Sequence, residues 1–306
     1  MFVDSTWQSP FVAMNIEYKD SVYSIVPREG DMYLFLNDGV ANKKYRYELF
    51  PILLEQTLGI DSITFCSLKE MDCMVTPQPY IDSIYKVFEE CAPADEIAAF
   101  IVEPLQGEGG FIPAPVEWVK ALRKICDEYG IMLIADEVQS GFCRTGRMFA
   151  SEYWKEAGVE PDILATAKSI AAGLPLSAIV ARAEIMDSVV NGTIGGTYCG
   201  NPLACASALK TIEIMERDNL ANRSLEIGEK VKKTYKEWME KYEVVGDVRG
   251  LGGMIGIEFV TDKASKTPNA KLVSDIIQEA VLNGLMLENC GVYGNVIRFL
   301  APLVIT

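Results

Sequence analysis

The chain has 306 residues, 49% apolar and 23% charged, which is enough to bury one large domain and a smaller one. Its net charge of −15 argues against nucleic acid or an anionic membrane as partner, because both repel an acidic surface. There is no histidine, so Ser-His-Asp and Cys-His catalysis and imidazole-ligated metal are excluded, leaving Lys, Asp, Glu, Tyr, Cys or a cofactor to move protons.

The opening MFVDSTWQSP lacks the basic start and long apolar stretch of a secretory signal, and no apolar run approaches the roughly 20 residues that cross a bilayer. A cytoplasmic location is therefore expected. Cys66, Cys73, Cys91, Cys126, Cys143, Cys199, Cys205 and Cys290 contain no C-x-x-C pair, and free thiols are expected.

Residues 1–94 show no repeat and no sharp motif, although VYSIVP and MYLFL can pair as strands around PREGD. From about residue 95 the pattern sharpens. IAAFIV (97–102) is a short apolar run ending in Glu103-Pro104. EWVKALRKICDEY (117–129) sets Trp118, Leu122, Ile125 and Tyr129 on one helical face, with Pro113 and Pro115 ahead of it and Gly130 behind. IMLIA (131–135) is the next strand, followed at once by Asp136 and Glu137. DILATA (162–167) ends at Lys168, and SAIVA (177–181) is a fourth strand. Continuous apolar strands separated by helices predict a parallel sheet covered on both faces.

Helices then follow in NPLACASALKTIEIMER and SLEIGEKVKKTYKEWMEKY. VVGDVRGLGGMIGIEFV passes from glycines into a β alternation; a helix in KLVSDIIQEAVLNG and a final strand pair near VIRFLAPLVIT complete a small α+β domain. The glycines of RGLGGMIG do not make a dinucleotide site, because MIGIEFV reads as a strand whereas such a loop must open a helix. The expected division is a divergent segment at 1–94, a large α/β domain at 95–215, and a connecting helix with the small domain at 216–306.

Three consecutive strands end in Glu103, Asp136 and Lys168. Ligands of open α/β sheets bind beyond the carboxyl ends of the strands, so the three side chains converge on one crevice. Singly, Asp136 reads as a cap, Glu103 as a partner of nearby backbone and Lys168 as a solvated loop residue; together they resist that explanation. Lys168 lies in ATAKSIAAGLPLSA among small residues with no acidic neighbour. An amine in an apolar, poorly hydrated pocket attacks carbonyls and suits a Schiff base. An aldehyde cofactor with a pyridine ring needs a carboxylate at the ring nitrogen, and Asp136 supplies one.

VEPLQGEGG, LIADEVQSGFCRTGRMFA, DILATAKSIAAGLPLSA and GGTYCGNPLACASAL, in this order, resemble the class III aminotransferases that use pyridoxal 5'-phosphate. The 4-aminobutyrate branch is the nearest likeness, from about residue 95 to the end. The resemblance implies a type I transferase fold with a mostly parallel sheet, which the shortened front half can leave incomplete at an edge, and a small α+β C-terminal domain. It also implies a homodimer that transfers an amino group between an ω-amino acid and a 2-oxo acid.

By the same resemblance Lys168 forms the Schiff base and shuttles the proton, Asp136 pairs with the ring nitrogen, Val138 packs on the ring face and Gln139 bonds the ring hydroxyl side. Gly196 and Thr197 reach the phosphate of the neighbouring subunit. Arg298 clamps the substrate carboxylate, Glu108 neutralises that arginine in the other half-reaction, and Glu103 lines the amine end. The chain departs from the family in its front half, which has neither the Ser/Thr-Gly-Ala turn that holds the phosphate nor the aromatic-His-Gly segment, and it stops soon after Arg298. Each lost charge-assisted hydrogen bond to the phosphate is worth roughly 1.5–3 kcal/mol. These gaps give an alternative expectation, a catalytically impaired homologue or a non-catalytic partner of a full-length aminotransferase.

Overall fold

A computed structural model describes the strand backbones at 14–18, 21–28, 31–37 and 42–46, and then residues 78–190, 195–197 and 199–306. The chain divides into two compact units, residues 1–63 with 83–92, and residues 64–82 with 93–306. In the first, β1 (Met14–Tyr18), β2 (Ser21–Arg28), β3 (Asp31–Asn37) and β4 (Asn42–Arg46) form an antiparallel meander in chain order. Pro27 pairs with Met32 and Arg28 with Asp31, so the strands expected around PREGD do form a hairpin. The helix α1 (Gln78–Glu90) comes next in sequence.

The second unit carries the motif-bearing residues. β5 (Ala99–Val102) leads through the two-residue strands β6 (Leu105–Gln106) and β7 (Ile112–Pro113) to helix α2 (Val116–Tyr129). Helix α2 buries Val119, Leu122, Ile125 and Cys126 and stops at Gly130, whose φ of 70° is a left-handed cap open to a residue without a Cβ. β8 (Met132–Asp136), the short helix α3 (Glu152–Glu156), β9 (Ile163–Thr166) and β10 (Ala178–Ala181) follow. The sheet order is β10-β9-β8-β5.

β5, β8 and β9 run parallel as expected, but β10 returns antiparallel to β9, Ala178 facing Thr166. A parallel return needs a crossover of about a dozen residues or more, usually helical. Between β9 and β10 the chain instead makes a tight 3-10 turn at Lys168–Ala171 and comes straight back.

After the short helix α4 (Ala183–Met186), helix α5 (Pro202–Arg217) starts at Asn201, whose side chain accepts from Leu203 N at 2.9 Å, with Pro202 in the first turn. Helix α6 (Leu220–Lys241) leads to β11 (Val245–Leu251) and β12 (Met254–Phe259), and helix α7 (Ala270–Leu282) to β13 (Glu288–Cys290) and β14 (Val296–Phe299). These four strands form an antiparallel sheet in the order β11-β12-β14-β13. RGLGGMIG is the β11–β12 turn, with a strand and no helix behind it. The last strand pair is formed by β13 with β14; residues after Phe299 add no strand, and Pro302 has no N–H to extend a ladder. Val273 of α7 packs on Val245, Ile257, Phe259 and Ile297, which buries one face of this sheet. Among the described residues no helix is long and apolar enough to cross a membrane.

Candidate active site

The parallel strands place their last side chains side by side. Glu103 follows β5, Asp136 closes β8, and Lys168 follows β9 by two residues. Asp136 pairs in register with Ala165, and Glu137 N donates to Ala165 O at 2.8 Å, so the chain ends of β8 and β9 are locked together. Glu103 reports the convergence. Burial pushes its carboxyl above the ordinary range, a hydrogen bond from Gly107 N opposes that, and the charges of Asp136, Lys168 and Glu108 all act on it.

The adjacent acids Asp136 and Glu137 have different duties. Asp136 is half-buried, and its Oδ1 accepts from Val138 N at 3.0 Å, which orients the carboxylate at the strand end. Glu137 is wholly buried and accepts from Ser140 Oγ at 2.6 Å, Ser151 N at 2.6 Å and Ala150 N at 3.1 Å. It is the acid that ties the GFCRTG loop to the start of α3, a role that sequence reasoning missed because two neighbouring acids look alike until the fold buries one.

Gln139 donates from Nε2 to Glu108 Oε1 at 3.4 Å, while its Oε1 is buried and finds no hydrogen-bond donor among the described residues. A buried acceptor of this kind fits a ligand hydroxyl. Lys168 sits at φ 50°, uncommon for a side chain with a Cβ, at the head of the 3-10 turn. Its Nζ makes no hydrogen bond or ion pair with another described residue. Its side chain is exposed, which corrects the expectation of a poorly hydrated pocket: Ile170 and Ala171 of the turn are buried, but Ala172, Gly173 and Leu174 beyond it are open to solvent. Arg144 props the same turn, reaching Ser169 Oγ at 3.4 Å and Ala301 O at 2.8 Å.

The second half of the site is built by the hairpin β6–β7. Its loop, Gly107 to Phe111, lies against the small-domain sheet. Phe111 is fully buried with Leu105, Met254, Cys290 and Val296. Gly291 N donates to Glu108 O at 2.8 Å and Arg249 Nε to Gly110 O at 2.9 Å. Gly256 on β12 has no side chain to hold the loop off: a Cβ there would lie 3.2 Å from Phe111 Cβ and 3.3 Å from Gly110 O. This docking brings Glu108 to Arg298 on β14, and their side chains form an ion pair. A second acid, Glu288 on β13, holds Arg298 Nη2 from the neighbouring strand. Burial works against the charge of Arg298, but the two carboxylates outweigh it and raise its pKa. Glu288 had no signal in the sequence; only the β13–β14 register, which sets Glu288 opposite Arg298, identifies it.

Gly196 and Thr197 are exposed, and Cys199 N donates to Gly196 O at 3.0 Å. The expectation that the first 94 residues lack the phosphate-holding turn falls largely outside the described residues.

A mostly parallel sheet beside a separate small antiparallel sheet is consistent with the type I fold of the transaminases that bind pyridoxal 5'-phosphate. The structure is similar to that of an amine transaminase from an uncultivated Pseudomonas species, solved in its PLP-bound form: TM-score 0.68, 37% identity, covering 79% of this chain and 56% of that one. The chain belongs to the class-III aminotransferase family, whose pattern matches residues 41–306 and so begins well before the motif-bearing stretch. It is 50% identical over 223 residues to 5-aminovalerate aminotransferase of Pseudomonas putida, covering 73% of this chain and 52% of that protein. To 4-aminobutyrate aminotransferase of Escherichia coli it is 48% identical over 225 residues, 74% of this chain and 52% of the relative. The chain thus spans about half the length of the curated relatives it matches.

Proposed function

We propose that the chain transfers an amino group from an ω-amino acid to a 2-oxo acid, with pyridoxal 5'-phosphate as cofactor. The observation that carries this reading is the convergence of Glu103, Asp136 and Lys168 at three parallel strand ends, across from Arg298. The residues suit the group. Asp136 is a half-buried carboxylate fixed by a backbone N–H; among the described residues, Gln139 Oε1 finds no donor and Lys168 Nζ no hydrogen bond or ion pair. When bound, the cofactor supplies an aldehyde that accepts amino groups and a protonated ring that takes up electron density.

In this reading Lys168 Nζ would hold the aldehyde and, when free, would be the base for the proton on the substrate's amine-bearing carbon. Asp136 would pair with the ring nitrogen, Val138 would pack on the ring face, and Gln139 would accept from the ring hydroxyl. Glu103 lines the amine end of the substrate. Arg298 receives the far carboxylate with Glu108 rotated aside, and Glu108 returns to Arg298 when no carboxylate is there. Gly196 and Thr197, exposed in one chain, would reach the phosphate held by a second copy in a homodimer.

The test is spectral. The purified chain with added cofactor should develop the absorbance of a lysine-bound aldehyde, Lys168→Ala should lack it, and 4-aminobutyrate or 5-aminovalerate should bleach it. A chain that takes up no cofactor would refute the reading. The exposed Lys168 and the apolar residues bare on the two sheet edges, Ile101 on β5 and Ile179 and Val180 on β10, favour a second reading, a catalytically silent partner of a full-length aminotransferase subunit. Activity that appears only on mixing with such a subunit would select it.

A further inference from the structure

Arg298 is gripped by two acids from different elements. Glu108, from the β6–β7 loop, pairs with Nη1, and Glu288, from β13, pairs with Nη2. Nε is buried and has no hydrogen-bond partner among the described residues. A guanidinium offers a carboxylate two parallel N–H bonds along only two edges, Nη1–Nη2 or Nε–Nη2. Both edges include Nη2, whose two N–H bonds serve one edge each. A carboxylate seated on either edge after Glu108 rotates must therefore share Nη2 with Glu288 and lie beside its charge.

The two acids also differ in how they are held. The backbone of Glu108 is pinned by Gly291 N, but its side chain is 72% exposed and stands on a loop. Glu288 stands opposite Arg298 in the antiparallel ladder, where cross-strand side chains meet by register. On the other flank Arg298 faces Gly256, which has no side chain to compete. Arg298 itself is 15% exposed, so the three charged groups leave this end of the crevice with one negative charge in excess.

We propose that Glu288 is a specificity-determining residue: it shares the Arg298 nitrogen that every bidentate carboxylate needs and sets a negative charge beside it, and so weakens capture of the substrate's far carboxylate relative to a neutral group. The proposal rests on the reading of Arg298 as the carboxylate receptor. It predicts a donor range broader than that of an arginine held by Glu108 alone, with acids penalised and uncharged chain ends unaffected.

Calorimetry on the full chain, loaded with cofactor, tests it with two unreactive probes, valerate and its neutral amide. Glu288→Gln preserves shape and removes the charge, and thermal melting should confirm that it folds as the parent does. It should bind valerate roughly two- to fivefold more tightly, since it removes one competing partly exposed ion pair, and bind the amide as the parent does. Arg298→Gln should lose valerate binding. Unchanged or weaker valerate binding in Glu288→Gln would overturn the proposal, as would equal tightening of the amide or valerate binding to neither parent nor variant. Valerate binding that survives Arg298→Gln would instead remove the reading of Arg298 beneath it.

Discussion

A carboxylate takes its role from what surrounds it. Glu137 is spent on structure because three donors meet it in the interior. Glu103 is only partly satisfied, and burial raises its pKa above the ordinary 4.5 against the hydrogen bond from Gly107 N. A raised carboxyl means that the folded state holds its proton more firmly than the unfolded chain does. Stability is therefore lost as pH rises from the ordinary carboxylate range through the raised value, and the loss is complete above it. Glu103→Gln keeps the acceptor for Gly107 N and removes the charge. In denaturant titrations across pH, the variant should gain on the parent through that window and hold a constant advantage beyond it. Parallel stability curves would show that Glu103 does not titrate there. Of the site acids, Asp136 was legible because it ends an apolar strand. Glu288 was not, since nothing in LMLENCG shows which strand will lie beside it.

At the scale of elements, helices and strands announced themselves through period and punctuation, but their approach distances did not. Gly228 lies mid-helix in α6, where glycine costs about 1 kcal/mol against alanine in an open helix. A Cβ there would sit 1.9 Å from the Gly252 carbonyl oxygen in the β11–β12 turn. Helix and turn backbones touch, and Ser224 Oγ one turn earlier takes the N–H of Gly253 at 2.8 Å. Gly228→Ala should therefore destabilise by about 1–3 kcal/mol despite its better helix propensity, seen as a lower denaturation midpoint. A stabilised variant would show that the two elements can separate without cost. The antiparallel return of β10 belongs to the same scale. SAIVA has the composition of a parallel strand, and only the brevity of the turn after Lys168 decides its direction.

At the scale of the molecule, the site needs the large and small sheets to stay in register, and Arg249 does much of the holding. It is 8% exposed, pairs with Glu258 and with Asp247 at 2.9 Å, and binds Gly110 O in the Glu108 loop. Removing one member of a buried charge set leaves the others without compensation, at a cost of about 3–5 kcal/mol. Arg249→Met should show that loss in chemical denaturation and should make the loop at 107–111 susceptible to limited proteolysis below the melting temperature. Loss of stability with an unchanged digestion pattern would mean that Arg249 supports the small-domain sheet alone.

Sequence by itself determined the parallel strands, the helices between them, and which side chains stand at their ends, because an apolar run and the residue that closes it are local features. It also singled out Glu108 and Arg298, through resemblance rather than spacing. Tertiary structure alone decided that Glu137 is structural, that Lys168 faces solvent in one chain, that β10 runs backwards, and that Arg298 answers to two acids. Each of these depends on which distant backbone passes within a few ångströms, and no run of neighbouring residues encodes that distance.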